Sequence, residues 1–299
     1  MVNAIIVGYG NIGKAVYEAL EAAPDMHIAG VVLRDRTKTR EKGVPAGVKI
    51  AEDVSELGAV DVAVLCVPSR SVPNEAVKYL SKGIRTVDSY DLHGEAMLDL
   101  YKNLDELSKK HNSVAVIGMG LDPGVDTLIR GIFETAAPKG ISYTNFGPGM
   151  SMGHTTVVKS IEGVKNALSV TLPLGAGLHR RMVYVEILDG YDFSTICEKV
   201  KNDPYFIKDE THVIQTEDVS ALQDMGHGMN IIRKGVSGKT DNQFFTFDMR
   251  VNNPAVTAQV MVAAARASMR LKPGCYTPLD IPVADMLYVG RDEMIKRLV

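Results

Sequence analysis

The sequence predicts an α/β fold, in which a doubly wound parallel sheet is followed by an α+β domain that contains a mixed sheet. In the first 120 residues, short apolar runs alternate with segments of helical periodicity, which is typical of a parallel sheet covered by helices on both faces. Beyond them, apolar and polar residues alternate, as in strands with one exposed face. We therefore predict one domain over residues 1–120 and a second over residues 121–253. We expect residues 254–299, which begin with an Ala- and Met-rich segment, to pack back on the first domain.

The periodicity places the individual elements. In the first domain, strands are predicted at residues 4–7, 28–33, 62–67, 85–87 and 114–117, and helices at 12–20, 74–81 and 93–111. In the second, a helix at 124–136 precedes strands at 183–188, 212–215, 230–234 and 244–251. A strongly apolar helix is predicted at 255–271.

The composition is that of an ordinary globular protein, with 45% hydrophobic residues and a formal net charge of −3. This charge gives no reason to expect a nucleic-acid or membrane partner. The N-terminus lacks the pattern of a signal peptide, and no apolar stretch has the length of a membrane span. The three cysteines are far apart and form no disulfide or zinc-binding pattern, so we expect free thiols, no metal site and a cytoplasmic location.

A glycine-rich turn follows the first predicted strand. Residues 8–13 read G-Y-G-N-I-G and fit G-x-G-x-x-G, between a buried strand and an amphipathic helix. The first glycine of this motif permits a tight turn, the second admits a pyrophosphate close to the backbone, and the third allows close helix packing. Phosphate is held by the amides of the helix N-terminus. We therefore predict a Rossmann domain that binds a dinucleotide through Gly8, Gly10, Asn11, Ile12 and Gly13.

The end of the second predicted strand carries the residues that distinguish NADP from NAD. An NAD enzyme usually places an acid there, which accepts a hydrogen bond from the ribose hydroxyl. This chain has Arg34-Asp35-Arg36, and the forked guanidinium groups of Arg34 and Arg36 suit a 2′-phosphate. We predict NADP as the cofactor, while Asp35 leaves NAD as the alternative.

The strand predicted at 62–67 ends in a segment that we expect to line the nicotinamide side of the cofactor site. Ligands of doubly wound sheets lie at the carboxyl ends of the strands. The residues concerned are Cys66, Val67, Pro68 and Ser69. The apolar surroundings of Cys66 favour an inert thiol over a nucleophile.

Four polar, glycine-rich runs follow. They are D-S-Y-D at 88–91, G-L-D-P-G at 120–124, F-G-P-G-M-S-M-G-H at 146–154 and T-L-P at 171–173. In this order after a Rossmann turn, they resemble meso-diaminopimelate dehydrogenase over nearly the whole chain. Leu121 stands where better-known members carry Trp, and the region at 171–181 is short. These features resemble a shorter branch of broader specificity, whose members also accept other D-amino acids.

The resemblance implies a reaction and a set of site residues. The reaction is the NADP-dependent, reversible oxidative deamination of the D-centre of meso-2,6-diaminopimelate, a small amino acid, to L-2-amino-6-oxopimelate and ammonia. Asp91 and Asp122 are implied to hold the reacting ammonium, and either is a candidate general base. Arg181 is implied to clamp the distal carboxylate. The other implied substrate contacts are Phe146, Met152, Gly153, Thr171, His227 and Asn253.

Less specific interpretations remain open at this point. Asp91 and Asp122 would also be suitable residues for turns or helix caps. Arg181 could equally lie on the surface, and His227 in a loop. Another Rossmann reductase of the lysine pathway is an alternative, although the paired-His signature of dihydrodipicolinate reductase is not matched by His179-Arg180-Arg181. A second alternative is a non-catalytic NADP-binding sensor. Because an open sheet in the second domain exposes one face, we expect a homodimer or a higher homo-oligomer.

Overall fold

The computed structural model describes residues 1–35, 37, 43–222 and 226–299, and the chain divides into two compact units. The first unit comprises Met1–Leu128 and Pro254–Val299, and the second comprises Ile129–Asn253. The sequence places the end of the first domain at residue 120, whereas the first unit continues to Leu128. The loop beyond residue 116 stays with the parallel sheet because the N–H of Met119 donates a hydrogen bond to the carbonyl of Asp88.

In the first half of the chain, most strands are followed by a helix. In chain order they are β1 (Val2–Val7), α1 (Asn11–Glu21), β2 (Met26–Val32), β3 (Ile50–Ala51), β4 (Val62–Leu65), α2 (Val72–Leu80), β5 (Arg85–Asp88), α3 (Glu95–Lys110), β6 (Val114–Val116) and α4 (Val125–Ala136). They continue with β7 (Lys139–Met150), α5 (Met152–Lys159), β8 (Val164–Gly175), β9 (Leu178–Ile187), α6 (Phe193–Asn202), β10 (Glu210–Gln215), β11 (Gly226–Ser237), β12 (Thr240–Asn252), α7 (Asn253–Ser268), β13 (Gly274–Tyr276), α8 (Val283–Met286) and α9 (Arg291–Leu298).

The first unit is built on a seven-stranded sheet in the order β13-β6-β5-β4-β1-β2-β3, in which every neighbouring pair is parallel. The chain winds outward from β1 in one direction through β2 and β3, and in the other from β4 onward. The loops that follow β1 and β4 therefore flank the topological switch point, where doubly wound sheets bind their ligands. The predicted Rossmann sheet is confirmed, with β13 as an additional edge strand.

Alternating side chains of β1 explain why helices cover both faces of this sheet. Ala4 and Ile6 belong to one apolar cluster, which includes Val16 of α1 and Met261 of α7. Ile5 and Val7 belong to the cluster on the other face, to which α2 and α3 contribute. A strand buried on both faces has no polar alternation, and this is why β1 is a continuous apolar run in the sequence.

A buried carboxylate ties together two loops at the carboxyl edge of the sheet. Asp88 ends β5, and its Oδ1 accepts hydrogen bonds from the backbone N–H groups of Tyr90 (2.9 Å) and Gly118 (3.1 Å). Its own carbonyl accepts the N–H of Met119 at 2.8 Å. One residue thus joins the loop after β5 to the loop after β6. Burial raises the pKa of Asp88 to about 6, and the two backbone hydrogen bonds act in the opposite direction.

The second unit contains a six-stranded mixed sheet in the order β10-β9-β8-β7-β11-β12. Strands β9 and β10 are parallel, and the other neighbours are antiparallel. Val158 of α5 and Ile196 of α6 pack with Val183 and Val185 of β9 in an apolar cluster on this sheet. The predicted α+β unit with a mixed sheet is confirmed. Among the described residues, no helix is long and apolar enough to cross a membrane.

The long strands β7 and β8 were not predicted, and in β7 glycines interrupt the alternation of apolar and polar residues. The glycine-rich residues 146–150 lie within β7, and the T-L-P run lies within β8. Gly149 has a φ of 150°, and a Cβ at this position would collide with the carbonyl oxygen of Gly226 in β11. The glycines of this run therefore permit close strand pairing as well as turns.

We expect Asp88→Asn to remove a pH dependence from the stability of the protein. The carboxyl loses its proton near pH 3.8 in the unfolded chain and at about 6 in the folded chain. Asp88 therefore lowers the free energy of unfolding by up to about 3 kcal/mol as pH rises from about 4 to about 6. The amide oxygen of D88N still accepts both backbone N–H groups but does not ionise.

Urea denaturation of the two proteins between pH 4 and pH 7 measures this difference. The stability of the wild type should decline relative to that of D88N across the range, whereas parallel profiles would contradict the assignment. Asp88→Ala is the control for the hydrogen bonds. It should be less stable than D88N at every pH, because two buried N–H groups lose their acceptor.

Candidate active site

The glycine turn after β1 forms an open cradle at the N-terminus of α1. Gly8 has a φ of +89°, and its N–H donates to the carbonyl of Val32 at 3.0 Å. A Cβ on Gly13 would collide with the carbonyl oxygen of Gly8, so this glycine is required for the packing of helix on turn. A Cβ on Gly10 would meet nothing within 4 Å. The first turn of α1 contains no acidic residue, and its leading amides belong to Asn11, Ile12 and Gly13.

Arg34 follows β2 with a largely exposed side chain. Its Nη2 lies 3.5 Å from the hydroxyl of Ser71 and 4.0 Å from Oε1 of Glu75. The neighbouring Asp35 accepts the backbone N–H of Thr37 at 2.9 Å. Arg36, the second predicted phosphate contact, lies outside the described residues. Arg34 is therefore the cation that the structure places at the end of this strand.

The loop after β4 carries Cys66, Val67, Pro68 and Ser69 at the switch point. The thiol of Cys66 donates to the carbonyl of Val64 at 3.6 Å, and burial raises its pKa. It therefore stays protonated at neutral pH, as expected of an inert thiol. Val67 and Pro68 lead into a short turn in which the carbonyl of Pro68 accepts the N–H of Ser71 at 2.7 Å.

Ser69 holds Asp91, the second aspartate of the D-S-Y-D run. The hydroxyl of Ser69 donates to Oδ1 of Asp91 at 2.5 Å, and the backbone N–H of Asp91 donates to the same hydroxyl oxygen at 3.2 Å. The loop after β4 thus fixes a carboxylate carried by the loop after the adjacent strand β5. Sequence reasoning placed Ser69 beside the cofactor but missed its contact with Asp91.

Asp122 lies in a tight loop after β6. The N–H of Gly120 donates to the carbonyl of Pro123 at 2.9 Å, and a Cβ on Gly124 would collide with the carbonyl oxygen of Gly120. These contacts explain the two glycines of G-L-D-P-G. Oδ2 of Asp122 lies 3.5 Å from Nε2 of His93, which follows Asp91 by two residues. Asp91 and Asp122 therefore lie on loops that Asp88 joins, and Asp122 lies in a turn, one of the two alternatives that its sequence left open.

Arg181 is a buried cation of the second unit. It is buried in β9, where its Nε donates to Oδ2 of Asp209 at 2.6 Å and its Nη1 donates to the hydroxyl of Thr171. Within the described part of the chain, Nη2 makes no hydrogen bond. The neighbouring Arg180 is paired with Glu210 on the surface, because successive side chains of a strand point to opposite faces.

Strand register aligns several predicted substrate contacts across the second sheet. Arg181 of β9 is the cross-strand partner of Thr171 of β8, which is opposite Gly149 of β7. Gly149 is in turn opposite His227 of β11. The four residues therefore form one row across four strands. His227, for which a loop position was open, is a buried strand residue.

Phe146 lies beside this row. Its ring centroid is 6.2 Å from that of His227 and 5.5 Å from that of His179. The backbone N–H of Phe146 donates to Nε2 of His179 at 2.8 Å, which leaves Nδ1 of His179 as the protonated nitrogen of the neutral ring. Sequence reasoning considered His179 in the His179-Arg180-Arg181 run, which does not match a paired-His signature, and missed this contact.

The N-terminal turn of α5 begins with Met152 and Gly153. His154 follows, with Nδ1 2.8 Å from the hydroxyl of Ser151 and Nε2 2.8 Å from the carbonyl of Tyr205. Burial, together with the charge of Arg181, lowers the pKa of His154 to about 3, so the ring is neutral. Asn253, the remaining predicted contact, begins α7 at the end of the second unit. Within the described ranges, no group of three or more potential ligands is arranged for a metal ion.

Comparisons with known proteins agree with this architecture. Residues 120–253 match the family described as the diaminopimelic acid dehydrogenase C-terminal domain, and residues 1–88 match the CoA binding domain family. The chain is 55% identical over 301 residues to the meso-diaminopimelate D-dehydrogenase of Bacteroides fragilis, with 100% of this chain and 99% of that protein covered.

Two solved structures share the fold over the full length. The C. glutamicum DAP dehydrogenase in complex with DAP has a TM-score of 0.89 at 27% identity, covering 100% of this chain and 99% of that one. An engineered D-amino acid dehydrogenase bound to NADP+ has the same TM-score at 26% identity, with coverage of 100% and 99%. The resemblance that the sequence motifs indicated is confirmed: this chain belongs to the meso-diaminopimelate D-dehydrogenase family.

Proposed function

We propose that this protein is an NADP-dependent dehydrogenase that catalyses the reversible oxidative deamination of the D-centre of meso-2,6-diaminopimelate to L-2-amino-6-oxopimelate and ammonia. The observation that carries the proposal is the pair Asp91 and Asp122. They lie on loops after adjacent parallel strands, at the sheet edge that also carries the open glycine turn, and each has a side-chain partner. Two carboxylates at this edge suit a substrate that presents an ammonium group to a dinucleotide.

The residues of the first unit fit NADP. The open space at Gly10 and the free leading amides of α1 suit a pyrophosphate, and Arg34 provides a cation for the 2′-phosphate. Bound NADP+ would supply the acceptor for the hydride from the D-centre. The segment that follows β4, the neighbour of β1, is assigned to the nicotinamide side of the cofactor site. It consists of Cys66, Val67, Pro68 and Ser69.

Each charged group of the substrate is assigned to residues of opposite charge. Asp91 and Asp122 of the first unit bind the ammonium of the D-centre. In the second unit, the buried guanidinium of Arg181 binds the distal carboxylate, and Thr171 orients that guanidinium. The remaining contacts are assigned to His227, Asn253, the leading amides of Met152 and Gly153, and the wall formed by Phe146.

The proton balance of the deamination determines the roles assigned to the carboxylates of Asp91 and Asp122. Loss of a hydride from the carbon that bears a neutral amine yields a protonated imine, whereas an ammonium has no free electron pair to form it, so one carboxylate first accepts a proton from the bound ammonium. Addition of water to the imine then requires a base for one proton of the water and an acid for the departing nitrogen. The overall reaction consumes the amino acid, NADP+ and water, and gives the oxo acid, ammonium, NADPH and one proton.

Two further assignments are part of the proposal. Leu121 is buried in the loop of Asp122, where its side chain differs in size and polarity from the Trp of better-known members, and we assign the chain to the branch that also accepts other D-amino acids. A homodimer is supported by β12, where Phe245, Phe247, Met249 and Val251 alternate with exposed residues but are only half-buried. The three free thiols suit the reducing cytoplasm.

The activity is tested by following NADPH absorbance at alkaline pH after NADP+ is mixed with meso-diaminopimelate, with its L,L isomer or with simple D-amino acids. Reduction is expected with the meso compound, slower reduction with D-amino acids, and none with the L,L isomer, which has no D-centre. NADP+ binding without reduction of any sample would refute the proposed activity and favour an NADP-binding sensor.

Gly10 and Gly13 provide a matched pair of variants for the cofactor site. Gly10→Ala should fold normally, because its methyl group meets no atom of the protein, but should weaken NADP+ binding about tenfold or more by intruding on the pyrophosphate. Gly13→Ala should lower the melting temperature as well, because its methyl group collides with Gly8. Calorimetric titration and thermal melting separate the two effects. Unchanged NADP+ affinity in G10A would contradict the assigned phosphate site.

Arg181 and Arg180 test the distal clamp. Arg181→Met should raise KM for meso-diaminopimelate by about tenfold or more, because the distal carboxylate loses a charge-assisted hydrogen bond. Activity with D-alanine, which has no distal carboxylate, should change little. Arg180→Met is the control, since Arg180 pairs with Glu210 on the surface. Equal losses of activity with both substrates would indicate damage to the sheet instead of a lost clamp.

A further inference from the structure

His93 occupies the boundary between Asp122 and solvent. It lies between Asp91 and the start of α3, and its Nε2 is 3.5 Å from Oδ2 of Asp122. The side chain of His93 is 60% exposed, whereas that of Asp122 is 24% exposed. The imidazole therefore contacts a largely covered carboxylate on one side and solvent on the other.

The charges around His93 favour its protonated form. The contact with Asp122 is the largest cause of a raised pKa, desolvation opposes it, and the charges of Asp91 and Asp126 add to it. Asp126 is buried at the start of α4, and Asp91 is held by Ser69. Within the described part of the chain, the charges that raise the pKa of His93 belong to acids of the loops after β5 and β6 and of the helix that follows.

The two candidate bases have different partners. Asp91 accepts a hydrogen bond from a neutral hydroxyl, which cannot take up a second proton near neutral pH. Asp122 faces an imidazole, the side chain that gains and loses a proton in this range. A proton received by Asp122 therefore has a route to solvent through His93.

We infer that Asp122 is the carboxylate through which the reaction exchanges protons, and that His93 is the positioning residue that carries those protons between Asp122 and solvent. In deamination, the ammonium N–H bond breaks and the proton passes to Oδ2 of Asp122. Neutral His93 receives it at Nε2, and Nδ1 releases the proton that it carried to water. Amination uses the same route in reverse. The inference rests on the proposed function.

The first test is the activity of His93→Ala with meso-diaminopimelate and NADP+. The expected result is a loss in kcat of about tenfold to a hundredfold with an unchanged Kd for NADP+, a changed acid limb of the pH profile, and recovery of kcat by added imidazole. His111→Ala, which removes a histidine at the other end of α3, should behave as the wild type. Recovery would not follow if His93 only shaped the loop.

Two outcomes would overturn the inference. One is a wild-type rate and pH profile in H93A, and the other is a lost rate that imidazole does not restore. A wild type that reduces no NADP+ would instead refute the proposed function, and this inference with it.

A titration that needs no turnover tests the pair itself. In the NMR spectrum of the intact protein, the ring resonance that disappears in His93→Gln belongs to His93. Its pKa should fall in Asp122→Asn and change less in Asp91→Asn, because Asp122 makes the larger contribution to that pKa. Equal shifts in both variants would overturn the assignment of Asp122 as the partner.

Discussion

The candidate site of the first unit depends on the carboxylate of Asp88, which fixes two loops relative to each other from inside the sheet. Parallel strands bring their carboxyl ends to one edge, but the backbone beyond each strand has no ladder partner and must find its hydrogen bonds elsewhere. Asp88 accepts N–H groups from both neighbouring loops, so that the positions of Asp91 and Asp122 share one anchor. Burial of this carboxylate costs stability at neutral pH, as its raised pKa indicates.

In the second unit, strand register fixes the positions of the candidate residues relative to one another. Arg181, Thr171 and His227 occupy one row because β9, β8, β7 and β11 pair in a fixed alignment, with Gly149 between Thr171 and His227. A shift of one residue in any pair would move side chains to the other face of the sheet. Arg181 would then exchange places with Arg180, whose side chain is paired with Glu210 at the surface.

The parts of the structure that depend on local pattern could be predicted from the sequence. The apolar runs of β1 and β4 and the glycine turn after β1 each determine their own conformation, and the order of motifs indicated the family. The parts that depend on pairing could not be predicted. Nothing in the sequence near Ser69 specifies a contact with Asp91. Likewise, no local pattern determines the register in which β8 pairs with β7 and β9. His93 follows the D-S-Y-D run by two residues, a spacing that could have drawn attention to it.

In each unit, a charged candidate residue lies beside an ionisable partner. Asp122 has His93 beside it, and Arg181 has Asp209. An uncompensated buried charge is strongly destabilising, so these partners allow the charges that an amino acid requires to be present before it binds. The two partners differ in one respect. His93 is an imidazole, the side chain that gains and loses a proton near neutral pH, whereas the partner of Arg181 is a carboxylate. Under the proposed function, the distal carboxylate adds to the existing pair at Arg181 through Nη2, while the charge of His93, beside the reacting nitrogen, varies during the reaction.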